Sequence, residues 1–186
     1  MFCALQLPNI NRGFTFISQK TKESIDMLSN LFRKRKLQIF APVNGEIVPL
    51  DQVPDPVFNQ KMLGEGIAVM PEQGNIHAPI EGTVVLVSDT KHAIGLRSSD
   101  GTEILIHIGL ETVSLKGIGF TVLVKVGDKV SVGQSLIEVD WDYIREHAKS
   151  IITPIVITNS AERNVQCEVT KKGVMGETVL MTVSAK

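Results

Sequence analysis

Short apolar runs separated by turn dipeptides occupy most of the chain from Ile39 onward. Each run is four to six residues long, whereas a helix in a globular domain needs roughly 10–12 residues. Asn-Gly, Glu-Gly, Asp-Gly and Gly-Asp pairs stand between the runs, and such pairs favour the tight turns of antiparallel sheets. The pattern predicts an all-β fold, an antiparallel β-sandwich or barrel-like single domain, with strands near 46–49, 83–87, 103–108, 135–139, 155–158 and 178–183.

The chain divides into a tail and a domain. Residues 39–186 form the predicted domain, including one short helix near 141–150 that Asp140 or Asp142 can cap. Residues 1–38 are predicted to be a flexible N-terminal tail, because residues 1–26 show no clear period. Within the tail, apolar residues at helical spacing lead into a basic block over 25–36. Two interpretations of that segment stay open: a short basic amphipathic helix in weak contact with an anionic membrane, or a solvated helix.

Composition excludes several classes of protein. The net charge is −1, so the chain does not resemble a nucleic-acid binder. The two cysteines, Cys3 and Cys167, are far apart and form no disulfide framework or zinc pattern. No apolar run approaches the roughly 20 residues of a membrane span, and the start does not resemble a signal peptide. We therefore expect a cytoplasmic protein without a metal, whose mildly acidic domain attracts a basic partner.

Two of the four histidines flank a hairpin signal. A two-residue turn at Asp100-Gly101 would place Ile94 opposite His107 on the neighbouring strand. His92 would then lie on the same face as His107, about 7–8 Å away along the diagonal. The predicted strand around His107 also sends alternate isoleucines to the opposite face, into the core: Ile104, Ile106 and Ile108.

Two converging imidazoles can carry a phosphoryl group. A neutral imidazole is available near its usual pKa of about 6.5, so one ring can attack phosphorus while the other donates a hydrogen bond to the oxygens. Thr90 could orient the second ring. The sequence contains no phosphate-binding GxxxxGK[ST] loop, so the group would come from another protein and no cofactor is expected. A structural histidine pair, or one that binds zinc adventitiously, remains the alternative.

Long segments around these residues resemble the glucose-type enzyme IIA family of the phosphoenolpyruvate-dependent sugar phosphotransferase system. They are APVNGEIVPL at 41–50, VPDPVFNQKMLGEGIAV at 53–69, TKHAIGL at 90–96, EILIHIGLETVSLKG at 103–117 and ITPIVITN at 152–159. The resemblance implies that His107 is phosphorylated, that His92 supports it and that Thr90 bonds the His92 ring. It also implies HPr as the donor and a cysteine of an enzyme IIB domain of a sugar permease as the acceptor.

The resemblance further implies a docking patch for these partners. Its apolar positions are Val57, Phe58, Met62, Leu63 and Leu105, and its acidic positions are Asp55 and Glu111. Three residues depart from the usual family pattern: Glu111 replaces an aspartate, Glu65 stands in a Gly-Asp-Gly motif, and Pro56 replaces an aliphatic residue. These changes affect docking detail and leave the expected phosphorylated residue unchanged.

Three other functions are alternatives to a phosphocarrier. Residues 124–139 resemble the turn of a biotinyl or lipoyl carrier domain, yet the hairpin lysine that such domains modify is missing. A zinc peptidase of related fold would need an H-x-H pair, and position 105 is a leucine. A regulatory binding protein that does not transfer phosphate is the remaining alternative.

Overall fold

The computed structural model describes residues 36–168 and 170–186. The predictions for residues 1–35, including Cys3 and all but the last residue of the amphipathic segment 25–36, lie outside this part. The described chain is built mainly of β-strands, which confirms the predicted all-β sandwich.

Fourteen strands, two short α-helices and three 3-10 helices make up the described residues. The strands are β1 (Leu37–Phe40), β2 (Asn44–Pro49), β3 (Glu65–Gln73), β4 (Ile76–His77), β5 (Gly82–Val87), β6 (Ala93–Arg97), β7 (Glu103–His107), β8 (Phe120–Val122), β9 (Lys129–Val130), β10 (Ser135–Val139), β11 (Thr153–Ile157), β12 (Arg163–Cys167), β13 (Lys172–Gly173) and β14 (Val179–Ala185). The helices are α1 (Pro56–Asn59) and α2 (Trp141–His147), and the 3-10 helices span Leu50–Gln52, Thr112–Leu115 and Ser160–Glu162.

Antiparallel pairing joins these strands into three sheets. The largest has eight strands in the order β13-β2-β3-β11-β7-β6-β5-β9. The two smaller sheets have the orders β1-β14-β12 and β4-β10-β8. Strand β7 therefore lies inside the large sheet, between β11 and β6, where both of its edges are hydrogen-bonded.

The large sheet is covered by apolar side chains on both faces near β7. Ile104, Ile106 and Ile108 are at most 1% exposed and join the main core, as predicted. Leu105 points the other way and packs against a second, smaller cluster. That cluster consists of Leu50, Val53, Phe58, Ala68, Leu110, Ile152 and Val156. The loop that contains α1 is thereby fixed to the outer face of the sheet.

The predicted hairpin register is wrong by one residue. His107 pairs with Ala93 instead of Ile94, and Arg97 pairs with Glu103. The connecting loop consequently has three residues, 99–101, instead of the two predicted at Asp100-Gly101.

Side-chain hydrogen bonds explain the longer turn. The Asp100 carboxylate accepts a hydrogen bond from the amide of Thr102 at 3.0 Å. Gly101 donates its amide to the carbonyl of Ser98 at 3.1 Å and adopts a left-handed φ of 81°. A β-turn followed by a left-handed glycine is the usual form of a three-residue hairpin loop. The Asp100-Gly101 dipeptide therefore predicts the hairpin correctly but not the length of its loop.

Helix α2 is shorter than the predicted 141–150. The Asp140 carboxylate caps it by accepting a hydrogen bond from the amide of Tyr143 at 3.0 Å. The helix ends at His147, because Ala148 is extended and Ser150 forms an isolated bridge with Leu110. This bridge draws the chain after α2 toward the segment that follows β7.

The close pairing of β3 and β11 generates a stability prediction. A Cβ added at Gly66 would lie 2.2 Å from the carbonyl oxygen of Ile155 and 2.8 Å from the Cα of Val156. We expect Gly66→Ala to lower the free energy of unfolding by about 3 kcal/mol, because two backbones must separate. The control is Gly133→Ala, at a left-handed glycine with no atom within 4 Å, where we expect a loss of about 1 kcal/mol. Equal losses in urea unfolding would contradict this account.

Candidate functional site

His107 ends strand β7 on the face opposite the isoleucines. Its Nδ1 lies 2.8 Å from the carbonyl oxygen of Gly109, which has a left-handed φ of 69°. A carbonyl can only accept a hydrogen bond, so Nδ1 of the neutral ring carries the proton. The lone pair is then on Nε2. The backbone thus fixes one tautomer of His107 and leaves its Nε2 with an available lone pair.

His92 lies immediately before β6, and only 7% of it is exposed. Its Nδ1 is 2.7 Å from Oγ1 of Thr90 and 3.2 Å from Oγ of Ser88. Its backbone carbonyl accepts a hydrogen bond from the amide of Ile108 at 2.8 Å. Both the ring and the backbone of His92 are therefore held in place, with Nε2 left free of these bonds.

The two rings meet at a centroid distance of 4.7 Å and an angle of 72°. The predicted convergence is therefore present, although the predicted register is not. Strict alternation in the observed register would have placed His92 on the opposite face from His107. Alternation holds only within a strand, however, and β6 begins after His92, at Ala93. The preceding residue, Lys91, has a left-handed φ of 59° and lies in the turn that leads into His92.

Burial keeps both imidazoles neutral near pH 7. Burial, with a smaller contribution from the neighbouring His107, lowers the pKa of His92 to about 4. Burial also lowers the pKa of His107, although the Gly109 carbonyl and the Asp55 carboxylate oppose that effect. A neutral ring retains the lone pair that a nucleophile needs.

Ser88 belongs to the site but was missed in the sequence analysis. Its hydroxyl contacts the His92 ring and also accepts a hydrogen bond from the amide of Ala93 at 3.0 Å. Its amide donates to the carbonyl of Ala93, also at 3.0 Å. The sequence signal is a hydroxyl residue at the end of one predicted strand, four positions before a histidine that opens the next.

Phe58, which the resemblance places in the docking patch, is a buried residue. Only 3% of it is exposed, and its ring lies edge-on to His107 at a centroid distance of 5.1 Å. The neighbouring positions are open to solvent: Val57 is 38%, Met62 69% and Leu63 37% exposed. We call these three residues the docking surface. Phe58 itself belongs to the smaller buried cluster on this face of the sheet and packs against His107.

The remaining predicted partner residues lie around the same loops. Leu105 is half-buried against the cluster that contains Phe58. The Asp55 carboxylate caps α1 by accepting a hydrogen bond from the amide of Val57 at 2.8 Å. Glu111 is exposed and forms an ion pair with Lys149 at 3.4 Å. Of the two acidic positions, Asp55 is the one whose charge acts on His107.

Neither a metal cluster nor a spanning helix is found in the described part of the chain. No three His, Cys, Asp or Glu side chains there come close enough together to hold a metal ion. No helix in the same residues is long and apolar enough to cross a membrane.

Comparison with known proteins identifies relatives of the whole domain. The family model for the phosphoenolpyruvate-dependent sugar phosphotransferase system, EIIA 1, matches residues 37–163. The glucose-specific EIIA component of Staphylococcus epidermidis is 47% identical over 164 residues, covering 85% of this chain and 99% of that protein. The glucose-specific EIICBA component of Staphylococcus carnosus is 56% identical over 128 residues, covering 69% of this chain and 19% of that protein. The chain thus spans less than a fifth of the latter relative's length.

A solved structure agrees with these relatives. Glucose permease IIA from Mycoplasma capricolum matches with a TM-score of 0.74 and 38% identity, covering 80% of this chain and 96% of that one. These matches favour the sugar phosphotransferase interpretation over the carrier-domain and peptidase alternatives. The chain belongs to the EIIA 1 family of the phosphoenolpyruvate-dependent sugar phosphotransferase system.

Proposed function

We propose that Nε2 of His107 accepts a phosphoryl group from phospho-HPr and passes it to a cysteine of an enzyme IIB domain. This transfer supports sugar uptake coupled to sugar phosphorylation, on the cytoplasmic side of the membrane. Residues 39–186 act as the phosphocarrier domain, and residues 1–38 are an N-terminal tail. The observation that carries the proposal is the pair of neutral rings 4.7 Å apart, one of which has its Nδ1 held by a carbonyl.

The first transfer uses the lone pair on Nε2 of His107. Nε2 attacks phosphorus in line, the bond from phosphorus to the donor's histidine nitrogen breaks, and that electron pair stays on the donor. The His107 ring gains positive charge as the new bond forms, while Nδ1 keeps its proton. The Gly109 carbonyl then accepts a stronger, charge-assisted hydrogen bond. This backbone contact therefore favours the transition state over the free ring.

His92 stabilises the phosphoryl oxygens. When the Thr90 hydroxyl donates to Nδ1, the proton of the neutral ring is on Nε2, which can donate to an oxygen. Ser88 holds the same ring from a second direction. In the onward step a cysteine thiolate attacks phosphorus, and the electron pair of the breaking bond returns to His107.

The docking surface provides an apolar contact for both partners. Val57, Met62 and Leu63 are exposed apolar residues in one loop, next to a buried ring that contacts His107. Exposed apolar groups of this kind are typical of protein interfaces. Asp55 adds a negative charge close to His107, which suits a basic donor such as HPr.

A first prediction of the proposed function separates the two histidines. His107→Ala should lose all phosphorylation, because it removes the nucleophile. His92→Gln should still accept phosphate in part, because an amide can donate one hydrogen bond, but should pass it on more slowly. Intact mass after incubation with enzyme I, HPr and phosphoenolpyruvate measures loading. His147→Ala, at an exposed ring stacked on Tyr143, is the control and should load normally. Phosphate mapped to His92, or labelling of His107→Ala, would overturn the assignment.

The second prediction distinguishes the exposed docking surface from the buried Phe58. Leu63→Asp should leave the protein folded and slow transfer from HPr, because a charge is placed in an apolar contact. Phe58→Ala should lower the free energy of unfolding by about 3–5 kcal/mol, because Phe58 is a buried aromatic residue. Val174→Asp is the control, since Val174 is 43% exposed beyond edge strand β13. Normal transfer by folded Leu63→Asp would contradict the docking role.

The third prediction concerns pH. The folded pKa of His92 is about 4, against an ordinary value of 6.5. As the pH falls, the His92 ring of the unfolded chain is protonated before that of the folded chain. The stability that the neutral buried ring contributes is therefore fully present above pH 6.5 and is lost as the pH falls toward 4. We expect His92 to account for a loss of about 2 kcal/mol in the free energy of unfolding between pH 7 and 4.5. His92→Gln should lack this pH-dependent loss. If wild type and variant show the same pH dependence in urea unfolding, the assignment of the loss to His92 is refuted.

A further inference from the structure

Ser88 uses both of its backbone groups to hold the turn before His92. Its amide donates to the carbonyl of Ala93 at 3.0 Å, and its carbonyl accepts from the amide of Lys91 at 2.8 Å. In a regular antiparallel pair the Ser88 carbonyl would instead accept from the amide of Ala93. The Ser88 hydroxyl accepts that amide here, at 3.0 Å. The side chain therefore takes the place of the carbonyl where the turn over residues 88–91 closes.

The partners of the Ser88 hydroxyl determine its direction. The described chain offers it two, and the first is the Ala93 amide, which can only donate, so the oxygen accepts. The second is Nδ1 of His92, at 3.2 Å. The hydrogen of the hydroxyl therefore has Nδ1 as its acceptor, and an accepting Nδ1 carries no proton. The proton of the neutral His92 ring is then on Nε2.

Thr90 alone does not determine this tautomer. Its Oγ1 lies 2.7 Å from Nδ1 of His92 and has no second hydrogen-bond partner in the described chain. Such a hydroxyl can donate to a bare ring nitrogen or accept from a protonated one. If Nδ1 carried the proton, the Ser88 oxygen would meet two donors, and its own hydrogen would lack an acceptor among the described residues. Ser88 therefore distinguishes the two tautomers, and Thr90 follows.

The Ser88 hydroxyl also connects the two histidines. It bonds both the His92 ring and the amide of Ala93, and Ala93 is paired with His107 across β6 and β7. Only 7% of His92 is exposed, so water competes little for these hydrogen bonds. The ring of one histidine is thus held against the strand residue that faces the other.

We propose that Ser88 is a positioning residue that keeps the proton of His92 on Nε2, from where it can be donated to a phosphoryl oxygen on His107. This inference rests on the proposed function. With the proton on Nδ1, Nε2 would present a lone pair to the phosphoryl oxygens and repel them. Ser88 acts through His92 and does not itself contact the phosphoryl group. Its loss should therefore slow the chemical step without weakening the binding of a partner.

The first measurement is the tautomer of His92 in the full chain, without phosphate. Nitrogen-15 labelling of histidine distinguishes a ring nitrogen that carries a proton from one that does not, and His92→Gln identifies the signals of His92. Ser88→Ala removes the hydroxyl, and Ser88→Thr retains it. The control is Ser98→Ala, because the Ser98 hydroxyl also accepts a backbone amide, that of Thr102 at 3.0 Å, at the opposite end of the same hairpin.

We expect the wild-type spectrum at neutral pH to show a bare Nδ1 and a protonated Nε2 for His92. In Ser88→Ala both signals should move toward each other, because the two tautomers then exchange. Ser88→Thr and Ser98→Ala should retain the wild-type signals. A wild-type ring with its proton on Nδ1, an unchanged tautomer in folded Ser88→Ala, or an equal change in Ser98→Ala would overturn the proposal.

The second measurement is the rate of loading by rapid mixing, with phospho-HPr as the varied reactant. Ser88→Ala should lower the saturating rate about fivefold, the effect of one hydrogen bond, and leave the half-saturating HPr concentration unchanged. Ser88→Thr should restore most of the rate. A normal saturating rate despite a changed tautomer, or a change in half-saturation alone, would overturn the positioning role. If the wild-type chain gains no phosphate, the proposed function fails, whereas the measured tautomer still stands.

Discussion

The pairing of β7 between β6 and β11 is the constraint on which the site depends. Both edges of β7 are hydrogen-bonded, so alternation fixes which side chains face each side of the sheet. Ile104 and Ile106 face the core, and each fully buried isoleucine contributes roughly 1.5–3 kcal/mol. His107 cannot leave its face unless these isoleucines leave theirs. The position of the His107 ring is therefore as stable as the core behind it.

The backbone after β7 sets the chemistry of that ring. The Gly109 carbonyl fixes the proton on Nδ1, and a Cβ at Gly109 would lie 2.7 Å from Cγ2 of Thr112 and 2.9 Å from the Ser150 carbonyl. Only glycine combines this left-handed conformation with such close neighbours. Main-chain geometry, and not a charged side chain, thus determines which nitrogen of His107 keeps its lone pair.

The sequence predicted the parts of this arrangement that follow from alternation. The inward isoleucines and the outward Leu105 could be assigned from period-two spacing alone. The hairpin register could not, because a carboxylate at Asp100 binds a backbone amide and lengthens the turn. Strand β3 was missed because its residues are buried on both faces and show no alternation. The burial of Phe58 was equally hidden, since a helix of four residues is too short to show a period.

Burial of the histidine pair has a consequence for a protein that must give its phosphoryl group away. A cationic pocket would stabilise the phosphorylated state and raise the barrier to the second transfer. Here burial favours neutral rings, so in the proposed mechanism a phosphoryl group would meet hydrogen bonds and a backbone dipole without a cationic ring beside it. Lys91 and Glu111 are exposed in the surrounding loops, whereas the Asp55 carboxylate acts on the pKa of His107. In the proposed mechanism the two rings therefore supply hydrogen bonds, and not a countercharge, to the group that is passed on.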